Sequence, residues 1–312
     1  MIPINKPCGM VSKDVSRWVQ RRLGKVKLGH VGTLDPLAEG VLPVLFGVAT
    51  RLQDYLLDQD KSYEFDVTLG VATDSMDRDG QIVAECPWQH VTADALVAAA
   101  RSLVGRITQV PPIYSAIKYQ GKPLYEYARS GKGEQVNMDR VSREVTIHSL
   151  GLLGFGDRTA TFSVSCSKGT YVRSLAVKIG EIVGSCGMVS RLVRTKAAGV
   201  DLARCVTLET LESHAGSFDD WLMPIEELQL GLTRLDIRDP DLMVRCKHGQ
   251  RVVLSALELH EKVVLSGGLV RETGVKQEVL LADFQSRKFF GLALLECITP
   301  DRYLVQMRRG LE

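Results

Sequence analysis

The chain has 312 residues, 45% of them hydrophobic and 24% charged, with a net charge of +2. That is enough for one large domain or two unequal ones, and the composition is that of an ordinary globular protein. The small net charge excludes a global basic field as the source of any nucleic-acid affinity, and no apolar run approaches the length of a membrane span.

In chain order, residues 12–23 read as a helix. Ser12 is its expected cap, Val15, Trp18, Val19 and Leu23 share one face, and Gly24 ends it. Arg17, Arg21, Arg22, Lys25 and Lys27 crowd this stretch, which suits either a solvated face or a phosphate-contacting patch. The run Gly29-His30-Val31-Gly32-Thr33-Leu34-Asp35-Pro36-Leu37-Ala38-Glu39-Gly40-Val41 follows. Its glycines allow close backbone approach, and Pro36 pushes Asp35 toward an extended conformation. Asp35 is therefore presented on a stiff loop, although Asp-Pro alone is an ordinary turn signal.

Residues 41–46 read as an apolar strand and 50–57 as a short helix. Residues 61–69 alternate cleanly, with Tyr63, Phe65, Val67 and Leu69 on one face of a half-buried strand. Residues 74–80 form an acidic turn. Residues 92–104 make a helix capped by Thr92, Pro111-Pro112 breaks regularity, and 124–129 is another short helix. Strands follow at 144–153 and 159–166, then an amphipathic helix over 171–183. No regular βαβ alternation appears, so the fold class is α+β: a mixed, largely antiparallel central sheet flanked by helices. From Thr233 onward short strand-like segments dominate, at 251–254, 262–265, 278–281, 288–295 and 303–307. These imply a small β-rich C-terminal domain, dividing the chain into 1–230 and 231–312.

The seven cysteines are odd in number, widely spaced and without a CxxC pair. That argues against a disulfide framework and a zinc site, and suits a reducing cytosol. The N-terminus shows no signal-peptide pattern, so a cytoplasmic location is expected. No HExxH, GxGxxG or P-loop occurs, so neither metal nor nucleotide cofactor is expected.

Five blocks, in order, resemble the bacterial TruB family of tRNA pseudouridine synthases. They are Asn5-Lys6-Pro7, His30 to Leu42 with Asp35 inside it, Asp60-Lys61-Ser62-Tyr63, Pro111-Pro112-Ile113-Tyr114-Ser115-Ala116, and Gly169-Thr170-Tyr171-Val172-Arg173. The resemblance implies a pseudouridine synthase fold with a small C-terminal RNA-binding domain of PUA type and no cofactor. It implies isomerisation of the T-loop uridine at tRNA position 55, with Asp35 as nucleophile and His30, Tyr63, Tyr171 and Leu192 as binding positions. The partner would be the tRNA T-stem-loop, the protein a monomer acting without a guide RNA. Residues 131–143 and 233–312 fit the family pattern only loosely.

Apart from the family, each of these residues has an ordinary role. Tyr63 and Leu192 read as strand packing, Tyr171 as a helix face, Arg173 as a surface ion pair and His30 as a loop histidine. Within the family pattern, Arg173 partners Asp35 and lowers its pKa, Tyr63 stacks on the uracil with its hydroxyl near C5, and Leu192 walls the pocket. His30 stacks where the flipped-out base has left the RNA, while Lys6, Lys118 and the 17–27 stretch hold phosphates. The competitors are a synthase for a different uridine, one working inside a guide-RNA particle, and a non-catalytic RNA-binding or RNA-folding protein.

Overall fold

The computed structural model describes residues 1–214 and 218–311. A ten-stranded sheet organises the first two thirds. Its main path runs Val206–Thr207, Ile2–Lys6, Glu39–Phe46, Gly187–Ala197, Lys61–Leu69, Thr159–Cys166, Arg143–Gly156 and Gly105–Gln109. Leu28–His30 and Val200–Asp201 attach at the side. Only two pairings are parallel, Ile2–Lys6 with Val206–Thr207 and Glu39–Phe46 with Gly187–Ala197. The expected mixed, largely antiparallel sheet is thus present.

The Lys61–Leu69 strand lies in the middle of this path, with Tyr63, Phe65, Val67 and Leu69 buried and the alternate residues half-buried. Phe65 stacks on Phe162 of the neighbouring strand, ring centroids 5.5 Å apart. Each such ring contributes about 1.5–3 kcal/mol when removed from water. The helix Ser12–Leu23 buries Val15 and Val19, and the helix Val172–Ile182 buries Leu175, Ala176 and Ile179 against the same core.

Some local expectations are corrected. Ser12 does not cap its helix: Val11 is the N-cap, and the Ser12 hydroxyl donates to the Leu34 carbonyl (2.9 Å) and accepts from the Leu34 amide (2.8 Å). A tertiary contact has taken a side chain that local chemistry would place on its own helix. The cap at Thr92 forms as expected, accepting from the Ala95 amide. Residues 47–57 split into a 3-10 turn, Gly47–Leu52, and a short α-helix, Gln53–Leu57.

No disulfide framework was expected, and among the described residues one bridge occurs, joining Cys86 and Cys186 across 100 residues with Cα atoms 5.6 Å apart. Gly70 brings them together: its amide donates to the Cys186 carbonyl, and its carbonyl accepts from the Cys86 amide. Sequence spacing carries no information about such a meeting.

The C-terminal region is a six-stranded sheet, in the order Arg251–Ser255, Arg302–Gly310, Phe289–Thr299, Lys276–Asp283, Thr233–Ile237 and Val263–Ser266. Two helices that the strand-like pattern did not announce, Pro240–Lys247 and Ala256–Lys262, accompany it. One hydrophobic cluster lies inside this region, and another spans the two regions. In the second, Val31, Leu45, Leu52 and Met223 pack with Leu280, Phe289, Leu292 and Leu311. Among the described residues no helix is long and apolar enough to cross a membrane.

Candidate active site

The loop that carries Asp35 links the strands Leu28–His30 and Glu39–Phe46 and is tied down along its length. Val31 donates its amide to the Pro43 carbonyl (2.9 Å), Leu34 is clasped by Ser12, and Pro36 accepts from the Gly9 amide (2.8 Å). The Ala38 amide closes a turn onto the Asp35 carbonyl (3.1 Å). Gly40 ends the loop at φ +100°, where an added Cβ would lie 2.3 Å from the Arg194 carbonyl. Only glycine fits there, since both the conformation and the space exclude a side chain.

Lys6 belongs to this scaffold, not to an RNA surface. It is fully buried, and its ammonium donates to the carbonyls of Pro7 (2.8 Å), Met10 (2.6 Å) and Pro36 (3.4 Å). Burial pulls its pKa down to about 8. The expectation that Lys6 holds a phosphate is corrected, because its three donors are spent on carbonyls beneath the loop.

Arg173, 3% exposed, sits in the first turn of its helix and meets Asp35 as expected. Its Nε lies 3.0 Å from Asp35 Oδ2, off the N–H axis, so the pair is an ion contact and not a linear hydrogen bond. The rest of the guanidinium is fixed by the Ser75 and Tyr114 carbonyls, 2.9 Å each. A second carboxylate, Asp77, lies 3.6 Å from Nη1 and is itself buried. Asp77 is held by the Ser75 hydroxyl (2.6 Å) and the Asp79 amide (3.2 Å). Sequence reasoning missed it, because the stretch 74–80 offers three aspartates and nothing local shows which one turns inward.

Asp77 also changes the electrostatics expected for Asp35. Desolvation raises the Asp35 pKa above the ordinary carboxylate value, Arg173 lowers it and Asp77 raises it again, with a net upward direction. The expected lowering is corrected, because desolvation of the carboxylate outweighs the Arg173 charge and Asp77 adds to it. Even so, 36% of the Asp35 side chain remains open.

That opening is a cavity of about 90 Å³ lined by Thr33, Leu34, Asp35, Tyr63, Thr170, Tyr171, Val172, Arg173 and Leu192. Five of the predicted site residues converge on it: Asp35, Arg173, Tyr63, Tyr171 and Leu192. The space is narrow, well under the ~300–1,000 Å³ of a pocket for a drug-sized ligand. Tyr171 is clamped through its backbone by Gln109, which accepts from its amide (2.7 Å) and donates to its carbonyl (3.0 Å). The Arg143 guanidinium lies 5.3 Å from the Tyr171 ring. Burial pushes the Tyr63 phenol up.

His30 does not line this cavity. It faces an adjoining groove of about 750 Å³ that also contains Lys13, Arg17 and Gln53 and shares Thr33 with the cavity. Its ring contacts Ser16 Oγ (3.0 Å) and Thr33 Oγ1 (3.3 Å), and burial lowers its pKa. Part of the basic stretch is occupied within the protein: Arg17 pairs with Asp14, while Arg22 pairs with Glu212 and lies over the Trp18 ring. Among the described residues no cluster of His, Cys, Asp and Glu could hold a metal ion.

The small cavity adjoins a groove carrying Lys13 and Arg17 and is lined by a carboxylate on a tied-down loop. Comparison with known proteins supplies the class. Residues 20–172 match the TruB family pseudouridylate synthase N-terminal domain. The tRNA pseudouridine synthase B of Geobacillus thermodenitrificans is 45% identical over 273 residues, covering 84% of this chain and 89% of that protein. The protein of the same name from Vibrio cholerae is 38% identical over 292 residues, covering 90% and 89%. The chain belongs to the TruB family of pseudouridine synthases, isomerases of RNA uridine. Among solved structures, a Cbf5–Nop10–Gar1 complex matches with a TM-score of 0.72 at 22% identity, covering 100% of this chain and 84% of that one. The shared fold therefore includes the C-terminal PUA-like sheet.

Proposed function

We propose that this protein isomerises the T-loop uridine of tRNA, at tRNA position 55, to pseudouridine, with Asp35 as the nucleophile. The observation that carries this reading is the meeting of Asp35 and Arg173 at a cavity walled by Tyr63, Tyr171 and Leu192. The relatives' name, tRNA pseudouridine synthase B, supports tRNA as the substrate class.

The chemistry suits these residues. The N1–C1′ bond breaks, the uracil turns, and C5 bonds to C1′; C5 loses a proton and N1 gains one, so the atoms balance without a redox or phosphate-handling partner. Asp35 works as an ionised carboxylate in either of two ways: attack on carbon, at C1′ or C6, or removal of the C2′ proton to form a glycal. Arg173 keeps the carboxylate oriented. Tyr63 and Tyr171 flank the base, with the Tyr63 hydroxyl near C5, and Leu192 closes the pocket to water. The uridine must leave its stack to enter, at a cost of a few kcal/mol. His30, beside Thr33 on the groove side, is placed to stack where the base departed and offset part of that cost. Lys13 in the groove meets the phosphates.

The test is incubation with an unmodified tRNA transcript, followed by mapping of pseudouridine. Product at the T-loop uridine alone establishes substrate and reaction together. Product at another uridine, or binding without product, overturns the assignment in favour of a related synthase or an RNA-binding protein.

A further inference from the structure

Arg194 heads the largest fully buried side chains among the described residues, at 1% exposure. Its polar contacts are neutral. Nε donates to the Val41 carbonyl (2.7 Å), and Nη2 donates to those of Gly32 (2.9 Å) and Val31 (3.3 Å). Val31 and Gly32 enter the Asp35 loop and Val41 leaves it, so one guanidinium grips both arms. The sheet register explains how it reaches them: Arg194 stands opposite Gly40 on one side and opposite Tyr63 on the other. Toward Tyr63 the two residues are cross-strand partners, so their side chains leave the same face of the sheet as neighbours. Two residues earlier on the same face, Leu192 lines the cavity.

An unmatched buried cation works against stability. An apolar chain of similar volume commonly serves a core as well or better. Holding the loop together does not by itself call for a charge here, since Lys6 and the Ser12 hydroxyl already fasten it. What the charge adds is a fixed, cationic donor behind Tyr63.

We propose that Arg194 is a positioning residue for the reaction: anchored on both arms of the Asp35 loop, it holds the Tyr63 hydroxyl at the place where C5 of the bound uracil arrives. It touches neither substrate nor reacting atoms and acts through Tyr63. The inference rests on the role given to Tyr63 under the proposed function.

The experiment is a double-mutant cycle on an unmodified tRNA transcript, comparing the wild type, Arg194→Lys, Tyr63→Phe and the double variant. Lysine keeps the charge but cannot form the fork that spans the carbonyls of both arms beside Tyr63. Arg194→Lys is expected to lower kcat about tenfold or more with KM within about twofold, while in the Tyr63→Phe background the same change costs less than about threefold. A kcat unchanged in Arg194→Lys, or an undiminished loss in the Tyr63→Phe background, overturns the proposal. If Arg194→Lys does not fold, Arg194→Met replaces it in the same cycle. Failure of both to fold assigns Arg194 to structure alone and also overturns it. Absence of product from the wild type overturns the substrate assignment, whereas an additive double variant alongside an active wild type tells only against Arg194.

Discussion

In the proposed mechanism Asp35 acts as a carboxylate, yet it lies where burial and the Asp77 charge favour the protonated acid. Arg173 opposes both, and the outcome is a pKa above the ordinary value of 3.8. The sign follows: the active carboxylate is lost as pH falls through that raised value. The acid limb of the kcat/KM profile, which reports the free enzyme, is therefore expected above pH 3.8, and a limb at or below it in a pH–rate measurement contradicts this account of the site. Asp35→Asn keeps shape and removes the charge. It is expected to abolish pseudouridine formation while tRNA binding, followed by filter retention, survives; comparable turnover by the variant would remove Asp35 as nucleophile. Tyr63→Phe is expected to bind tRNA normally and turn over more slowly, and an equal rate would take the hydroxyl out of the mechanism. Asp35, Tyr63 and Arg173 were legible because each stands in a recognisable block. Asp77 and Gln109 were not, because each acts on a residue distant in the chain and lies in a stretch with no distinguishing pattern.

The catalytic loop is rigid because neighbouring elements grip it. Ser12 at the start of its helix, Lys6 on the first strand and Arg194 on the Gly187–Ala197 strand all bind its backbone. Ser12→Ala removes one buried donor and leaves the Leu34 amide without its acceptor, at an expected cost of about 1–3 kcal/mol. Denaturant midpoints measure it, and a loss below a few tenths would show the contact to be dispensable. Gly40→Ala places a methyl group against the Arg194 backbone at φ +100°, which backbone atoms cannot yield cheaply. Overpacking of this kind typically costs about 1–3 kcal/mol, and a variant as stable as the wild type would show that the loop can move. The strand Lys61–Leu69 was read with its boundaries from alternation, and Thr159–Cys166 also has the bounds expected for it. Ile2–Lys6 was not, since Pro3 and Lys6 mask its apolar pattern and Lys6 is buried only by meeting the loop.

Across the molecule, the two sheets share hydrophobic surface. Phe289 and Leu292 of the C-terminal sheet pack with Val31 and Leu45, which lie in and just beyond the catalytic loop. A chain ending at residue 230 would leave this face open to water, so it is expected to melt lower than the full protein and to aggregate. Equal melting temperatures by calorimetry would show the regions to be independent. Phe289→Ala within the full chain is expected to cost about 3–5 kcal/mol, as for other buried aromatics.

Residue order alone determined the alternating strands and the amphipathic helices, because these depend on local periodicity, and the five ordered blocks gave the class of reaction through the family they resemble. Tertiary structure alone decided which acid joins Asp35 at Arg173, that Lys6 supports the loop instead of the RNA, that Cys86 meets Cys186, and that Arg194 stands behind Tyr63. Those outcomes depend on how strands far apart in the chain come to lie side by side. Dehydration and proximity then set what each charge can do, and neither is a property of a residue's neighbours in sequence.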